Sequence, residues 1–238
     1  MTIITVSSLK GGVGKTTLAC FTARALAKSA RVLCVDLDHN NNLTDYWLRD
    51  WPVDEIEVRN ISGVLSRTVS IDQSTWMRDP VDVIPATPSL SRISALIGHD
   101  QNVAARLRTA LRKLDYDYII IDTPPSLSLE LSIGLNCADR VLVPVSASRW
   151  TLQGYQIIAD EVAGIVESTG REVPMLAVPS MVTEKEADSL RRVTEWKTTV
   201  GAVYRDQTIK AAASEGRALR EGTNAAGWFA GLAEEVGR

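Results

Sequence analysis

Residues 3–17 read Ile3-Ile4-Thr5-Val6-Ser7-Ser8-Leu9-Lys10-Gly11-Gly12-Val13-Gly14-Lys15-Thr16-Thr17. The β-branched run at 3–7 predicts a strand, and the apolar periodicity that begins at residue 16 predicts a helix, so the glycines lie in a strand–loop–helix connection. Glycine lets the backbone curl until its N–H groups converge, and the N-terminus of the following helix adds a positive partial charge. Such a loop is a nest for a polyphosphate. Within it, Lys15 is placed to reach the β- and γ-phosphates and the Thr16 hydroxyl to ligate Mg²⁺. A chance glycine-rich turn would lack this strand-before, helix-after context.

Outward from the loop, short apolar runs at 32–36, 81–85, 118–122, 141–145 and 173–178 alternate with helix-length segments. Helices are predicted at 16–29, 102–113, 127–137, 151–168, 185–199 and 225–236. The stretch 50–75 shows little period. Strands that are apolar throughout need cover on both faces, which predicts an α/β fold: a doubly wound, mostly parallel sheet with helices on both faces. With 238 residues and no repeat, low-complexity tract or linker, the expectation is a single domain over 1–238. In such sheets ligands bind outside the carboxyl ends of the strands, so the residues just after each strand are the ones to read.

Two strand ends carry acids. Asp36-Leu37-Asp38-His39-Asn40-Asn41-Asn42 follows the run at 32–36, and side chains two apart in an extended segment share a face. Asp36 and Asp38 are therefore candidates for the phosphate site, with capping or turn formation as the plainer role. Tyr118-Ile119-Ile120-Ile121-Asp122-Thr123-Pro124-Pro125 is a buried strand ending in an acid, and a carboxylate there can hold a Mg²⁺-bound water. The prolines stop the strand.

Composition limits the function classes. Hydrophobic residues make up 45%, charged residues 23%, and the net charge is -3, values of an ordinary globular protein and not of a disordered or membrane-embedded one. Cys20, Cys34 and Cys137 lack CxxC spacing and sit in or beside apolar runs, so they read as core residues. His39 and His99 are too far apart to suggest a metal site. No apolar stretch approaches the about 20 residues that span a bilayer, and no signal peptide precedes the first strand, so the expectation is a cytoplasmic protein with no membrane partner.

The segment Lys10 to Thr17, KGGVGKTT, resembles the deviant Walker A motif of the ParA/MinD family, with Lys10 in the place of the signature lysine. The resemblance implies an ATPase that uses ATP and Mg²⁺ and dimerises on ATP binding. Lys10, Gly11, Gly12, Val13, Gly14, Lys15, Thr16 and Thr17 would bind nucleotide, and Lys10 would cross to the partner subunit's phosphates. A second ammonium there can neutralise developing charge as an arginine finger does. Residues 36–40 resemble the family's Walker A′ segment, DxDPQ, with His39-Asn40 replacing Pro-Gln. On that match Asp38 would orient the attacking water, Asp36 would lie near the Mg²⁺ shell, and Asp122 would be the Walker B acid. The catalytic set is then Lys10, Lys15 and Asp38, and the metal set Thr16, Asp36 and Asp122.

Residues 141–154 resemble the family's strand and helix after Walker B, and residues 206–210 followed by 214–217 resemble small ParF-type partition ATPases without an N-terminal helix-turn-helix. This implies plasmid or chromosome segregation, with ATP-bound homodimers on nucleoid DNA and a ParB-like centromere- or cargo-binding partner that stimulates hydrolysis. Candidate DNA contacts are Arg191, Arg192, Lys197, Arg205, Lys210, Arg217 and Arg220, although interspersed acids make a solvated mixed-charge face the plainer reading. Trp150 and Trp196 could stack on bases but read first as core or interface residues. A ParA-like ATPase that positions a protein organelle has identical chemistry. A MinD-like membrane ATPase would need a basic amphipathic tail, and 225–238 carries Glu234-Glu235 instead. A further alternative is a metabolic or metal-carrier enzyme on the same P-loop, such as a dethiobiotin-type synthetase or a nitrogenase iron protein, of which the iron protein would need paired interface cysteines, with Cys137 the one candidate.

Overall fold

The computed structural model describes residues 1–199 and 201–237. In chain order the elements are β1 (Thr2–Val6), α1 (Lys15–Leu26), β2 (Val32–Asp36), α2 (Asn42–Leu48), α3 (Val53–Val58), α4 (Ile61–Ser66), α5 (Ile71–Ser74), β3 (Asp82–Ile84), α6 (Leu90–Ile97), α7 (Val103–Leu111), β4 (Tyr118–Asp122), α8 (Leu129–Cys137), β5 (Arg140–Val145), α9 (Arg149–Thr169), β6 (Met175–Val182), α10 (Glu184–Arg191), β7 (Val203–Tyr204), α11 (Gln207–Ser214) and α12 (Asn224–Gly237). The strands form one seven-stranded parallel sheet in the order β3-β2-β4-β1-β5-β6-β7.

Each central strand is buried on both faces, and its side chains alternate between two cores with the period of two that extended chain imposes. Ile4, Cys34, Ile120, Leu142 and Val178 pack with α1 and α12 on one face. On the other, Ile3, Leu33, Ile119 and Ile121 pack with α4 and α7, while Val141, Val143 and Ala177 pack with α9. Phe229, Leu232 and Val236 of α12 are buried against α1, so the apolar stripe of the last helix covers the phosphate-loop helix.

The helix expected at 185–199 stops at Arg191. Beyond it the chain returns to β6: Lys197 accepts the Ala177 N–H at 2.8 Å and the Thr199 N–H donates to Ala177 O at 3.0 Å. Two causes act together. Val193, Thr198 and Thr199 are β-branched and lose χ1 freedom in a helix, and Trp196 is buried edge-on against Tyr155 with its indole N–H donated to Leu190 O. The strand expected at 173–178 runs instead from Met175 through Pro179 to Val182, because the two-residue β7, invisible as a pattern, pairs with its end. Short helices fill 50–75, and α2, α6 and α11 form where no helix was expected. For α11 the local reason is its cap, since the Asp206 carboxylate accepts the Thr208 N–H at 2.7 Å.

Sheet order brings β2, β4 and β1 side by side, with Asp36 opposite Asp122 and Asp122 opposite Val6 in register. Helix α8 closes on this region through Gly134, whose carbonyl accepts the Thr5 hydroxyl at 2.7 Å. A Cβ at Gly134 would meet Thr123 Cγ2 at 2.6 Å, in a layer backed by the sheet. Gly134→Ala should therefore destabilise by about 1–3 kcal/mol through overpacking, outweighing alanine's better helix propensity. Urea unfolding of the two proteins measures it, and a stabilised variant would contradict this packing.

Candidate functional site

The loop after β1 curls as its glycines permit: Gly12 and Gly14 have φ of 69° and 92°, and Gly14 caps α1 in the left-handed region. The end of β6 closes the loop from the side. The Ser180 hydroxyl donates to Val13 O at 2.9 Å, and a Cβ on Gly14 would lie 3.1 Å from that hydroxyl, so only glycine fits there without displacing Ser180.

Lys15, the first residue of α1, is buried and its ammonium reaches Lys10 O at 3.4 Å. Burial lowers its pKa, opposed by the Asp122 and Asp38 carboxylates. The Thr16 hydroxyl donates to Asp122 Oδ2 at 2.6 Å, which joins the phosphate loop to the end of β4. Lys15, Thr16 and Thr17 open on a cavity of about 530 Å³ also lined by Asp38, Asn40, Tyr46, Pro125, Met181 and Ser214.

The three carboxylates fare differently. Asp122 is fully buried, and burial, reinforced by Asp36, pushes its pKa up to about 8. Its Oδ1 has no hydrogen-bond partner. A buried, unpartnered carboxylate oxygen next to a threonine hydroxyl, at the edge of a phosphate nest, is a donor set that fits a hard divalent cation. Among the described residues there is no cluster of three or more His, Cys, Asp or Glu that could hold a metal by itself. Mg²⁺ takes one or two protein ligands and completes its shell with phosphate and water. Thr16 and Asp122 are the residues that would hold it.

Asp36 is also fully buried, and burial raises its pKa to about 6 against the hydrogen bonds that favour its charge. Its Oδ1 accepts the Asp38 N–H at 3.0 Å, and its Oδ2 accepts both the N–H and the hydroxyl of Thr44, at 2.9 and 2.8 Å. Asp36 thus organises the turn into α2, and it does not line the cavity. Asp38 does. Its Oδ1 accepts the backbone and side-chain N–H groups of Asn40 at 3.0 and 2.9 Å. Among the described residues no group donates to its other oxygen. Asn40 thus braces Asp38 in the segment where His39-Asn40 replaces Pro-Gln, and Asn41 takes the left-handed conformation (φ 47°) that asparagine tolerates at a helix cap.

Lys10 is exposed, and its ammonium donates to Ser146 Oγ at 3.0 Å, at the end of β5. It lines a neighbouring cavity of about 420 Å³ with Leu9, Val145, Tyr155 and the exposed Trp150. Of the DNA candidates, all seven are exposed. Arg191, Arg205 and Arg217 pair with Asp188, Glu186 and Glu215. Among the described residues Arg192, Lys197, Lys210 and Arg220 stand in no ion pair. Trp196 is a core residue and is not available to a base.

Sequence reasoning missed Ser180, Met181, Tyr46 and Ser214 as neighbours of the phosphate loop. The strand-end rule would have found the first two had the last strand been carried past Pro179. Met181 has φ 56° and lies at the irregularity between β6 and β7, a local twist that leaves no periodic signal.

One alternative loses its footing in this geometry. Cys137 is fully buried, its thiol pushed up to about 12 by burial, so it cannot hold a cluster at an interface. Among the described residues no helix is long and apolar enough to cross a membrane, and the apolar face of α12 is occupied by α1.

Comparison with known proteins finds relatives along most of the chain. Residues 1–175 match the family model described as an AAA domain. The chromosome partitioning protein ParA of Myxococcus xanthus is 32% identical over 202 residues, covering 81% of this chain and 69% of that protein. The maintenance of carboxysome distribution protein A of Synechococcus elongatus is 27% identical over 234 residues, covering 92% of each. Among solved structures, a plasmid partition protein of Borrelia burgdorferi bound to AMPPNP superposes with a TM-score of 0.82 at 25% identity, covering 98% of this chain and 97% of that one. With its glycine nest, its two loop lysines and these relatives, the chain belongs to the ParA/MinD family of P-loop ATPases that carry the deviant Walker A motif.

Proposed function

We propose that residues 1–238 act as a single Mg-ATP-dependent ATPase domain that dimerises on ATP, binds DNA without sequence preference in that state, and serves plasmid or chromosome segregation. The observation that carries the reading is the joined set of Lys15, Thr16 and Asp122 beneath the glycine nest, with Lys10 at its rim. Lys15 holds the β- and γ-phosphates, and Asp38 orients a water toward the γ-phosphate. Bound Mg²⁺ supplies charge neutralisation on the phosphates. Lys10 leaves Ser146 and enters the partner's site, and a ParB-like partner accelerates turnover. Localisation to the nucleoid follows from the DNA-bound state. The ParA of Myxococcus xanthus and the nucleotide-bound Borrelia structure support this reading. Positioning of a protein cargo is the second reading, favoured by the match to the carboxysome-distribution protein along nearly the whole of both chains.

The two lysines separate cleanly by experiment. Lys15→Ala should weaken ATP binding by about 10–100-fold, the worth of charge-assisted bonds to phosphate. Lys10→Ala should keep affinity yet lose dimerisation with a non-hydrolysable analogue in sedimentation velocity. A Lys10→Ala protein that dimerises normally would remove the cross-subunit role.

The raised pKa of Asp122 gives a pH test. Its value is about 8 in the folded chain against 3.8 when unperturbed, so between those values the folded state holds a proton that the unfolded state has released. Stability of the nucleotide-free, metal-free protein should therefore fall as pH rises from about 4 to about 8. Asp122→Asn should reduce that decline in thermal melts, leaving the part that Asp36 contributes below about pH 6, and Mg-ATP should stabilise the parent protein more than the variant at pH 8.

DNA affinity should need ATP and fall steeply with salt. Replacing Arg192, Lys197, Lys210 or Arg220 with alanine should lower the slope of log K against log salt by about 0.9 for each true phosphate contact. Replacing the ion-paired Arg191, Arg205 or Arg217 should change it less. Equal retention with ADP and ATP would sink the switch.

A further inference from the structure

The two acids at the end of β2 share a face in sequence, yet the fold separates their tasks. Asp38 lines the nucleotide cavity, whereas Asp36 lies beneath it, fully buried. What holds Asp36 is Thr44, in the first turn of α2, which donates both its N–H and its hydroxyl to Asp36 Oδ2. The same Thr44 oxygen accepts the Ala86 N–H at 2.9 Å, in the segment that follows β3. Thr44, Asp36 and Ala86 are all buried, and neither Thr44 nor Ala86 lines the cavity.

A single line of hydrogen bonds therefore runs from Ala86 N–H to the Thr44 hydroxyl, from that hydroxyl to Asp36, and from Asp38 N–H to the other oxygen of Asp36. The hydroxyl is the one group in that line able to donate and accept at once. Without it, a buried N–H on Ala86 loses its acceptor and Asp36 loses one of its donors. Residues 36–44 would then be tied at fewer points, and Asp38 rides on those residues.

We propose that Thr44 is a positioning residue for hydrolysis: its side chain, acting through Asp36, sets the backbone of Asp38 and so the carboxylate that orients the attacking water. The proposal rests on the reading of Asp38 as the water-orienting acid. Thr44 does not line the nucleotide cavity, so its loss should affect turnover far more than nucleotide binding.

The test is Thr44→Val, which keeps shape and removes the hydroxyl, beside Thr44→Ser, which keeps the hydroxyl and removes a methyl group. Thr44→Val should lower kcat by about 10–100-fold, the cost of roughly an ångström of misplacement, and leave KM and the affinity for a non-hydrolysable ATP analogue within about threefold. Thr44→Ser should restore kcat to near the parent value. Amide hydrogen exchange at Asp38 and Ala86 should quicken in Thr44→Val and not in Thr44→Ser. If Thr44→Val fails to fold, Thr44→Cys, of similar size with a weaker donor, should show the same kcat loss with affinity retained. Asp38→Ala serves as the control. An inactive Asp38→Ala beside a fully active Thr44→Val overturns the positioning role and leaves the reading of Asp38 intact. A fully active Asp38→Ala overturns that reading and the proposal with it. Equal loss of kcat and affinity in Thr44→Val, or a Thr44→Ser as defective as Thr44→Val, also overturns the proposal.

Discussion

The short hydrogen bond from the Thr16 hydroxyl to the Asp122 carboxylate is the contact on which the site depends. It ties the first turn of α1 to the end of β4, and through them the glycine nest to the centre of the sheet. The contact exists only because a carboxylate has been carried to the end of a strand buried on both faces. Burying a charge there is unfavourable, as the upward displacement of the Asp122 pKa records. Asp36, its register neighbour on β2, is displaced in the same direction. The molecule thus holds an acidic floor whose carboxyl groups are costly to ionise, with Lys15 the cation that favours the charged form of Asp122. Such a floor is poised for a cation and a polyphosphate, because each relieves what the other would make worse.

Around this floor the sheet assigns one task to each strand end. The end of β1 gives the nest, β2 the acid that faces the cavity, β4 the acid next to Thr16, and β5 the serine that holds Lys10. The end of β6 braces the nest through Ser180. No two of these are sequence neighbours. What unites them is that parallel strands end on the same edge, so a function spread over nearly 180 residues of chain is gathered within one cavity and its rim.

The parts legible from sequence were those in which local chemistry and periodicity agree. The nest, the acid after 118–121 and the doubly covered strands could be read because each needs a particular residue type at a fixed offset from an apolar run. Asp36 and Asp38 were recognised as a pair. That Asp36 turns from the cavity to hold the start of α2 was not legible, because it depends on Thr44 and Ala86, which lie 8 and 50 residues further on. The helix expected at 185–199 was overruled by a tertiary demand, the burial of Trp196 and the pairing of Lys197 and Thr199 with Ala177. Ser180 and Met181 were missed for a related reason: a strand end shaped by an irregular two-residue neighbour has no period to read.

The last helix has a consequence of a different kind. Tyr118 and Arg140 begin β4 and β5, and their side chains hold the carbonyls of Gly237 and Val236. Residue 237 is thereby pinned at the amino edge of the sheet, with the full length of the strands between it and the nucleotide cavity. A fluorophore, surface tether or fusion partner joined at that residue would sit at the pole opposite the phosphate loop. Such an attachment gives a way to watch the molecule at work from its back without obstructing its mouth.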